Sequence, residues 1–386
     1  MIDKEFLSSD MLAFAQELIR VKSFSGKEKR IAQMIAKKME RLGFDIVTID
    51  RLGSVLGRIG NGSKSLLFES HSDTVQVYDE EKWSKPPFSG IISDGFLWGR
   101  GSVDMKSSIA VSIYAAAAAK QSDYLKDKTI YVSCSVFEED CDGEGINSMI
   151  TEGLLMPDYA VICEPSSNQL VGGHKGKAQI IMRTYGKSAH GSAPEKGINA
   201  VYEMAEIIKR VEHTHQNLNT ISGRKGTLVL SSISSKGVSL NAVPDTCEIY
   251  LDRRTVPGET DEMIRKEMDA IIAEKNADWE IDTVRRTAWT GEPIVYKPQH
   301  KSWQISIGHP LTQSCLKAYR SVFQKEAGPL GFWDFSTNAV GLIRHGIPCI
   351  GFGPGDPKLA HTRDEKCPVK QIIDAYFFYK ELINTI

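Results

Sequence analysis

Acidic and imidazole side chains follow three apolar, β-branched runs of the sequence, at the point where each run ends. LLFES leads into His71 and Asp73, YVSCSVF leads into Glu138 and Glu139, and AVIC leads into Glu164. In open α/β sheets the strand ends and the loops beyond them converge at one edge, where binding sites form. A lone His-x-Asp is more often a turn or a satisfied histidine. Three such ends together indicate a metal site.

Two further candidates stand in turns. Asp104 lies in WGRGSVDMKSS, directly before a helix pattern, and His361 lies in KLAHTRDE, after the turn-rich FGPGDP. Taken alone, Asp104 would be interpreted as a helix N-cap and His361 as a surface histidine. A carboxylate held at a helix start can also bridge two cations, one on each oxygen. GRGSVD lacks the third glycine of a dinucleotide fingerprint, and GFGPG cannot open a helix as that fingerprint requires, so neither indicates NAD binding.

The elements that must position these residues alternate between helix and strand. Helix patterns cover 11–21, 27–42 and 105–120, and apolar strand patterns cover 65–68, 129–137 and 158–163. This alternation predicts an α/β layer with a largely buried sheet. From about 177 the texture changes, with amphipathic strands at 178–185, 226–232, 246–252 and 279–284 and helices at 198–213 and 259–274. Strand, helix, strand, strand, helix, strand is the order of a ferredoxin-like α+β unit.

These patterns predict one catalytic domain, residues 1–176 and 287–386, interrupted by an inserted smaller domain, residues 177–286. The chain has 386 residues, 41% of them hydrophobic and 25% charged, which are globular proportions. Its net charge of -2 offers no basic excess for nucleic acid or an anionic membrane.

The sequence also predicts a location. The longest uncharged apolar run, 109–119, is shorter than the roughly 20 residues of a membrane span, and the N-terminus lacks the basic flank and apolar core of a signal peptide. The 7 cysteines form no CxxC pair and are odd in number. We expect a soluble, cytoplasmic protein whose cysteines are reduced and structural.

Several motifs, in order along nearly the whole chain, carry a family resemblance. They are HSDTV, GRGSVDMK, the pair Glu138 and Glu139, CEPS, SAHGSAPEKGINA, DRRTVP, and GFGPG followed by AH. Together they resemble the ArgE/DapE-type metallohydrolases, which include acetylornithine deacetylase, succinyl-diaminopimelate desuccinylase and carboxypeptidase G. EEDCDG, RKGTL, FWDFSTN and HGIPCIGFGPG are most similar to a YgeY-like branch linked to selenium metabolism. The resemblance implies a zinc-aminopeptidase-like α/β catalytic domain with a mixed central sheet, and an inserted ferredoxin-like lid and dimerisation domain.

The resemblance also implies a site with two divalent cations. Its ligands would be Asp104 as the bridge, His71 and Glu164 on one cation, and Glu139 and His361 on the other. Glu138 would be the general base, and Asp73 would orient the imidazole of His71. Adjacent residues of an extended chain point to opposite sides, which would let Glu138 and Glu139 divide base and ligand duties. Mixed imidazole and carboxylate ligands suit zinc, with cobalt or manganese as alternatives.

The resemblance gives further residues a role in binding. His190 would donate to the oxyanion in the neighbouring subunit of a homodimer, while Arg254 and Asn241 would hold a substrate carboxylate. Ser336, Thr337 and Asn338 replace the Thr-Asp-Ala-like turn that meets the substrate in many relatives.

The glutamate pair departs from the commoner family pattern. It is usually followed by one residue and glycine, whereas Asp140, Cys141 and Asp142 precede Gly143 here. The two aspartates are either extra metal contacts or, as is more usual, solvated loop acids.

The expected activity is hydrolysis of the amide bond of an N-acyl amino acid or short peptide. Hydrolysis of a ureide or carbamoyl compound and carboxypeptidase activity are alternatives on the same site. A non-catalytic dimeric binding protein is a further alternative, since fold does not imply activity. Retention of all the ligand positions together with Glu138 argues against it.

Overall fold

Helices and strands alternate along the chain in the computed structural model, which describes residues 4–386. The helices, numbered in chain order, are α1 (Lys4–Ile19), α2 (Lys29–Arg41), α3 (Lys106–Lys120), α4 (Glu144–Thr151), α5 (Ala200–Gln216), α6 (Asp261–Ile272), α7 (Pro310–Phe323), α8 (Ala339–Ile343) and α9 (Val369–Thr385). The strands are β1 (Ile46–Ile49), β2 (Val55–Gly60), β3 (Lys64–His71), β4 (Ile92–Ser93), β5 (Phe96–Trp98), β6 (Lys128–Ser135), β7 (Tyr159–Ile162), β8 (Val171–His174), β9 (Gly176–Tyr185), β10 (Thr220–Ile221), β11 (Arg224–Lys225), β12 (Thr227–Lys236), β13 (Thr246–Thr255), β14 (Ala277–Ile281), β15 (Val284–Thr287), β16 (Pro293–Tyr296), β17 (Gln299–His300), β18 (Trp303–Gln304), β19 (Gly331–Trp333), β20 (Cys349–Gly351) and β21 (Lys366–Pro368).

A nine-stranded mixed sheet carries the strand ends from which the site was expected. Its order is β1-β2-β6-β3-β7-β20-β8-β18, with β19 paired to β8. At its centre β3 runs parallel to both β6 and β7, and β20 runs parallel to β7. The apolar runs are nearly continuous because these central strands are buried on both faces. The carboxyl ends of β3, β6 and β7 therefore lie at one edge.

The Ala-rich helix α3 lies in the interior. All but one of its residues before the final lysine are buried, and it contacts α1, α9 and the strands β3 and β6. A helix that is apolar on nearly every side is expected to be buried, and small alanines let its neighbours approach closely. This packing fixes the loop that precedes α3, which contains Asp104.

A second, five-stranded sheet is formed by the middle of the chain. Its order is β12-β13-β9-β14, all antiparallel, and β17 also pairs with β9. The order of elements along the chain is that of a ferredoxin-like unit, as the sequence pattern indicated. Helices α5 and α6 cover this sheet and share with it a hydrophobic core separate from that of the large sheet. Strand β12 lies at the edge, and most of its side chains are exposed.

Two expectations concern the whole chain. The 7 cysteines are all buried and unpaired, as expected for structural thiols. None of the helices in residues 4–386 is long and apolar enough to span a membrane.

Candidate metal centre

The large sheet brings the acid and imidazole groups of three strand ends together. His71 is the last residue of β3, Glu138 and Glu139 follow β6, and Glu164 follows β7. One detail differs from the sequence expectation. The glutamate pair lies in a hydrogen-bonded turn rather than in extended chain, because Phe137 before it has a left-handed φ of 61°. Both glutamates line the same cavity.

Asp104 stands between the two histidines. Its Oδ1 lies 2.9 Å from Nε2 of His71, and its Oδ2 lies 3.1 Å from Nε2 of His361. The N-cap position of α3 belongs to Met105, and no side chain caps the helix there. The alternative interpretation of Asp104 as a helix cap is therefore wrong, and each carboxylate oxygen is available to a different group.

The two glutamate ligand candidates lie on opposite sides of this carboxylate. Glu164 Oε1 is 3.6 Å from Nε2 of His71, whereas Glu139 Oε2 is 3.0 Å from Nε2 of His361. Ligand-type atoms of His71, Asp104 and Glu139 lie within 4.8 Å of one another, and so do those of His71, Glu138 and Glu164. These nitrogen and oxygen donors are the kinds that bind divalent transition metals.

The protonation of the imidazoles reflects the surrounding carboxylates. Hydrogen bonds to Asp104 and Glu139 raise the pKa of His361 to about 10. Burial lowers the pKa of His71, but hydrogen bonds to Asp104 and Asp73 outweigh burial, so that its pKa lies well above the ordinary value. Burial opposes the charge on Asp104, yet the two imidazoles hold its pKa well below the usual range.

The pKa values of the three glutamates are raised, in contrast to that of Asp104. Burial and the neighbouring Asp104 raise the pKa of Glu139 to about 7. Burial also raises the pKa of Glu138 and of Glu164 well above the ordinary value, with further increases from nearby carboxylates. Buried carboxyl groups with raised pKa values, grouped in a cavity, are typical of catalytic or metal-binding positions.

Asp73 holds the turn as well as the first histidine. Its backbone oxygen lies 3.0 Å and its Oδ1 lies 3.4 Å from Nδ1 of His71. Its two carboxylate oxygens also accept the backbone N–H groups of Glu138 and Glu139, at 3.1 and 3.2 Å. Ser25 donates to the same carboxylate at 2.7 Å. Asp73 thus fixes both the imidazole and the glutamate pair, and the second contact was not expected from the sequence.

The cluster opens into a cavity of about 270 Å³. Its lining consists of Asp104, Glu138, Glu139, Asp142, Glu164, Lys177, Arg254, Phe335, Ser336, Pro357, Ala360 and His361. The lining therefore combines acidic side chains, the two positively charged side chains of Lys177 and Arg254, and apolar residues. A cavity of this size suits a small molecule.

The expected substrate residues are found in three places. Arg254 and Ser336 line the cavity. Thr337 and Asn338 are buried, with 0% and 2% exposure, and are not among the residues that line the cavity, so their contact with a substrate stays a prediction. Asn338 donates to Glu69 at 2.8 Å and accepts the backbone N–H of Gly143 at 2.8 Å, because it begins the short helix α8 beneath the glutamate turn.

His190 and Asn241 lie together on the second sheet's periphery and do not line the cavity. Both are exposed, and the backbone N–H of Gly191 donates to the backbone oxygen of Asn241 at 2.6 Å. The backbone N–H of Ser192 donates to Nδ1 of His190. Nδ1 is therefore an acceptor, which puts the ring proton of the neutral imidazole on Nε2.

The extra acids of the enlarged loop have protein partners. Asp142 is buried and accepts from Lys177 at 2.7 Å, while Asp140 is half-buried and accepts from Arg286 at 2.7 Å. Asp142 is therefore not a solvated loop acid, because a cation from β9 compensates its charge.

Glu365 is a further buried acid that the sequence did not single out. One of its oxygens accepts the backbone N–H groups of Val103 and Asp104, at 2.8 and 3.1 Å, and the other accepts from Arg100 at 2.5 Å. Arg100 also donates to the backbone oxygen of Thr362, next to His361. This pair braces the two loops that carry Asp104 and His361, and its contacts span 262 positions, so no local pattern reveals them.

Known proteins are similar to this chain in sequence or in fold. YgeY of Escherichia coli (strain K12) is 36% identical over 365 residues, covering 93% of this chain and 90% of that protein. Succinyl-diaminopimelate desuccinylase of Corynebacterium glutamicum is 26% identical over 388 residues, covering 98% and 97%. The structure of the Bacillus subtilis YXEP protein, titled a dinuclear metal binding peptidase from the M20 family, matches with a TM-score of 0.72 at 14% identity, covering 99% and 100%. At that identity the likeness shows the fold.

The family resemblance found in the motifs is confirmed, including its closeness to YgeY. Residues 67–385 match the description "Peptidase family M20/M25/M40", and relatives in this group are named as deacetylases and desuccinylases. This chain is a metal-dependent hydrolase of C–N bonds, and it belongs to the peptidase family M20/M25/M40.

Proposed function

We propose that the protein hydrolyses the amide bond of an N-acyl amino acid or dipeptide, with two divalent cations held by the cluster around Asp104. Zinc is the first choice for both positions, because mixed imidazole and carboxylate donors suit it, and cobalt and manganese are alternatives. Named relatives that act on acylated amino acids support this substrate class.

The single observation that carries the proposal is the position of the Asp104 carboxylate. One of its oxygens meets His71 and the other meets His361. Glu164 is close to the first histidine and Glu139 to the second. Four carboxylates gathered at this depth repel one another unless cations lie between them. Divalent cations would offset this repulsion, and the donor set fits two of them, which would be held by His71, Asp104, Glu164, Glu139 and His361.

The chain's own residues would perform the remaining steps. When bound, the cations supply Lewis acidity that polarises the scissile carbonyl and makes water acidic enough to lose a proton near pH 7. Glu138 takes that proton and passes it to the leaving amine. Burial raises the pKa of Glu138 above its ordinary value, which is the direction that makes a carboxylate a better proton acceptor. Asp73 keeps the turn that carries Glu138 in place.

We further propose that residues 177–286 form an inserted lid and dimerisation domain, and that His190 serves the site of the partner subunit. The separate core of the second sheet supports the first part. Dimerisation is supported by the edge strand β12 and by three exposed apolar residues on or near it, Ile233, Val238 and Leu240. His190 does not line the cavity of its own chain. Because its Nδ1 accepts a hydrogen bond, its Nε2–H is the ring group that would donate to an oxyanion.

One experiment tests the activity. The metal content of the purified protein is measured, and the metal-loaded protein is incubated with a panel of N-acetyl amino acids that includes N-acetyl-L-alanine, dipeptides and carbamoyl compounds. We expect amine release from an N-acyl amino acid or dipeptide, loss of activity with a strong chelator, and recovery on adding zinc, cobalt or manganese. Full activity of metal-stripped protein would refute the metal-dependent mechanism. Hydrolysis of carbamoyl compounds alone would refute the substrate class.

A further inference from the structure

A buried ion pair lines the same cavity as the metal cluster without belonging to it. Lys177 Nζ donates to Asp142 Oδ1 at 2.7 Å, and the two side chains are 10% and 7% exposed. Lys177 is the second residue of strand β9 in the second sheet, whereas Asp142 lies in the acidic loop after β6. The pair therefore joins elements of both sheets at a wall of the substrate cavity.

Lys177 stands beside Arg254, the residue expected to hold a substrate carboxylate. The two are directly opposite each other in the antiparallel pair β9 and β13, so their side chains share one face with Cβ atoms about 5 Å apart. Arg254 uses Nε and Nη2 to bind Asp252, at 2.6 and 3.0 Å. Within residues 4–386, no further hydrogen bond joins the Nη1 group of Arg254 or the other two N–H donors of Lys177 to the protein.

We infer that Lys177 is a specificity residue, which binds the free carboxylate of the substrate together with Arg254. This inference rests on the proposed function and assigns a further residue to its substrate site. The preferred substrate carries a free carboxylate next to the scissile amide, and the same compound with that carboxylate blocked as an amide binds poorly. Two adjacent cations with unused donors form a two-point site for a carboxylate, and charge-assisted hydrogen bonds of this kind are strong.

Asp142 positions the lysine. A lysine ammonium moves on a flexible four-carbon stem, and the carboxylates of Glu138 and Glu139 line the same cavity. An untethered ammonium would be free to move toward those carboxylates, which must remain available for proton transfer and metal binding. The enlarged loop supplies a buried carboxylate that holds the ammonium elsewhere. This role gives the departure of the loop from the commoner family pattern a physical reason.

The test compares the panel's best N-acyl amino acid with its carboxamide. The variants are Lys177→Met, Lys177→Arg, and the double variant Lys177→Met with Asp142→Asn, in which no buried charge is left unpaired. Asp140→Asn is the matched control, because Asp140 lies on the same loop and pairs with Arg286 outside the cavity. Thermal unfolding and metal content of each variant are measured alongside KM and kcat.

We expect the double variant to raise KM for the free acid about 10- to 100-fold, the usual effect of losing a hydrogen bond to a charged group, with kcat changed far less. KM for the carboxamide should not change, Lys177→Arg should restore most of the preference, and Asp140→Asn should match the unmodified protein. Equal increases of KM for acid and carboxamide, or an unchanged KM for the acid, would overturn the inference and leave the pair a structural tether.

A binding experiment separates this inference from the proposed function. If no panel compound is hydrolysed, the proposed function has failed, and calorimetric titration with N-acetyl-L-alanine and N-acetyl-L-alaninamide decides the role of Lys177. Tighter binding of the acid by the metal-loaded protein, lost in the double variant, supports the inference. Equal or undetectable binding of the two compounds overturns it.

Discussion

Glu138 and Glu139 are neighbours in one turn, yet they contact different groups. Glu139 accepts from the backbone of Val75 at 3.2 Å and lies against His361, which fits a group fixed as a ligand. The carboxyl of Glu138 lies with His71 and Glu164 and faces the cavity. A general base must reach the substrate side and remain able to exchange a proton. These contacts support the division of roles that the family resemblance implied.

We therefore expect Glu138→Gln to retain the fold and the metal content while lowering kcat by roughly 100- to 10,000-fold, the usual contribution of a general base. Steady-state kinetics and elemental analysis on the same preparation check this outcome. Glu144→Gln is the control, since Glu144 binds Arg344 at 2.7 Å outside the cavity. Near-normal turnover of the Glu138 variant would remove this residue from the mechanism.

The histidines give a second expectation, which concerns pH. The pKa of His361 is raised to about 10, so its ring carries a proton at pH 7 in the metal-free protein, and the pKa of His71 also lies above its ordinary value. A ring nitrogen binds a cation only after losing that proton. Zinc binding should therefore release protons, and zinc affinity should fall as the pH falls. Calorimetric titrations at pH 7 in buffers of different ionisation enthalpy measure the release, and a value of zero would contradict the assignment of these ligands.

Part of this cluster could be predicted from the sequence because His71, the glutamate pair and Glu164 follow apolar runs, whereas the roles of Asp104 and His361 came from the family resemblance. The ends of parallel strands meet at one edge, so the runs were sufficient to bring His71, Glu139 and Glu164 together. The pairing of Lys177 with Asp142 could not be predicted, because residues 35 positions apart meet only through the packing of two sheets. The burial of Asn338 was missed for the same reason, since its partner Glu69 lies 269 positions away.

At the scale of elements, the loops before α3 and before β21 position two groups of the candidate metal site, Asp104 and His361. The pair of Glu365 and Arg100 joins these two loops and is almost completely buried. His361 itself has a left-handed φ of 62°, a conformation that a non-glycine residue keeps only when its surroundings hold it. The brace is therefore expected to act on the metal site as well as on folding.

We expect Glu365→Gln to weaken metal affinity about 10- to 100-fold, as is typical when a residue that supports metal ligands is changed. Competition with a chelator of known affinity gives this value, and thermal unfolding gives the cost in stability. Glu267→Gln is the matched control, because Glu267 pairs with the buried Arg253 in the second sheet at 2.9 Å. If both variants lose stability equally and neither loses metal affinity, the Glu365 pair serves only the fold.

The positions of helices and strands could be predicted from the sequence patterns, but the order of the strands in the sheet could not. The strand pattern at 178–185 corresponds to β9 and the helix pattern at 105–120 to α3, because periodicity reports burial directly. The insertion of β20, from the end of the chain, between β7 and β8 could not be predicted. Strand order depends on which faces pack best, and a run of three residues contains no signal for its neighbours.

At the scale of the whole molecule, the cavity draws its walls from both sheets. The acidic wall belongs to the large sheet, while Lys177 and Arg254 come from the second sheet. The complete site in the proposed homodimer requires a third contribution, the His190 imidazole of the partner. The sequence predicted the two sheets, but the family resemblance was needed to suggest the dimer.

Mixing two inactive proteins tests the shared site. We expect His190→Ala and Glu138→Gln to be inactive separately and to regain activity when their subunits exchange, because one site of each mixed dimer then has both residues intact. In a statistical mixture this is about a quarter of all sites, by the symmetry of a dimer. Analytical ultracentrifugation establishes the dimer, and mixed labels establish exchange. Failure to recover activity despite exchange, or a fully active monomer, would show that the model of a shared site is wrong.

The cross-sheet position of the Lys177 and Asp142 pair has a consequence for modular evolution. The metal cluster belongs to the large sheet, whereas Lys177 and Arg254, which bind the substrate carboxylate, belong to the second sheet. A new specificity can therefore arise by exchange of the inserted domain that contains the second sheet. A grafted insert that brings a lysine at position 177 needs an acid at position 142 of the recipient, since the ammonium would otherwise have the catalytic glutamates as partners. Positions 142 and 177 are therefore expected to change together, because they lie on opposite sides of the graft boundary.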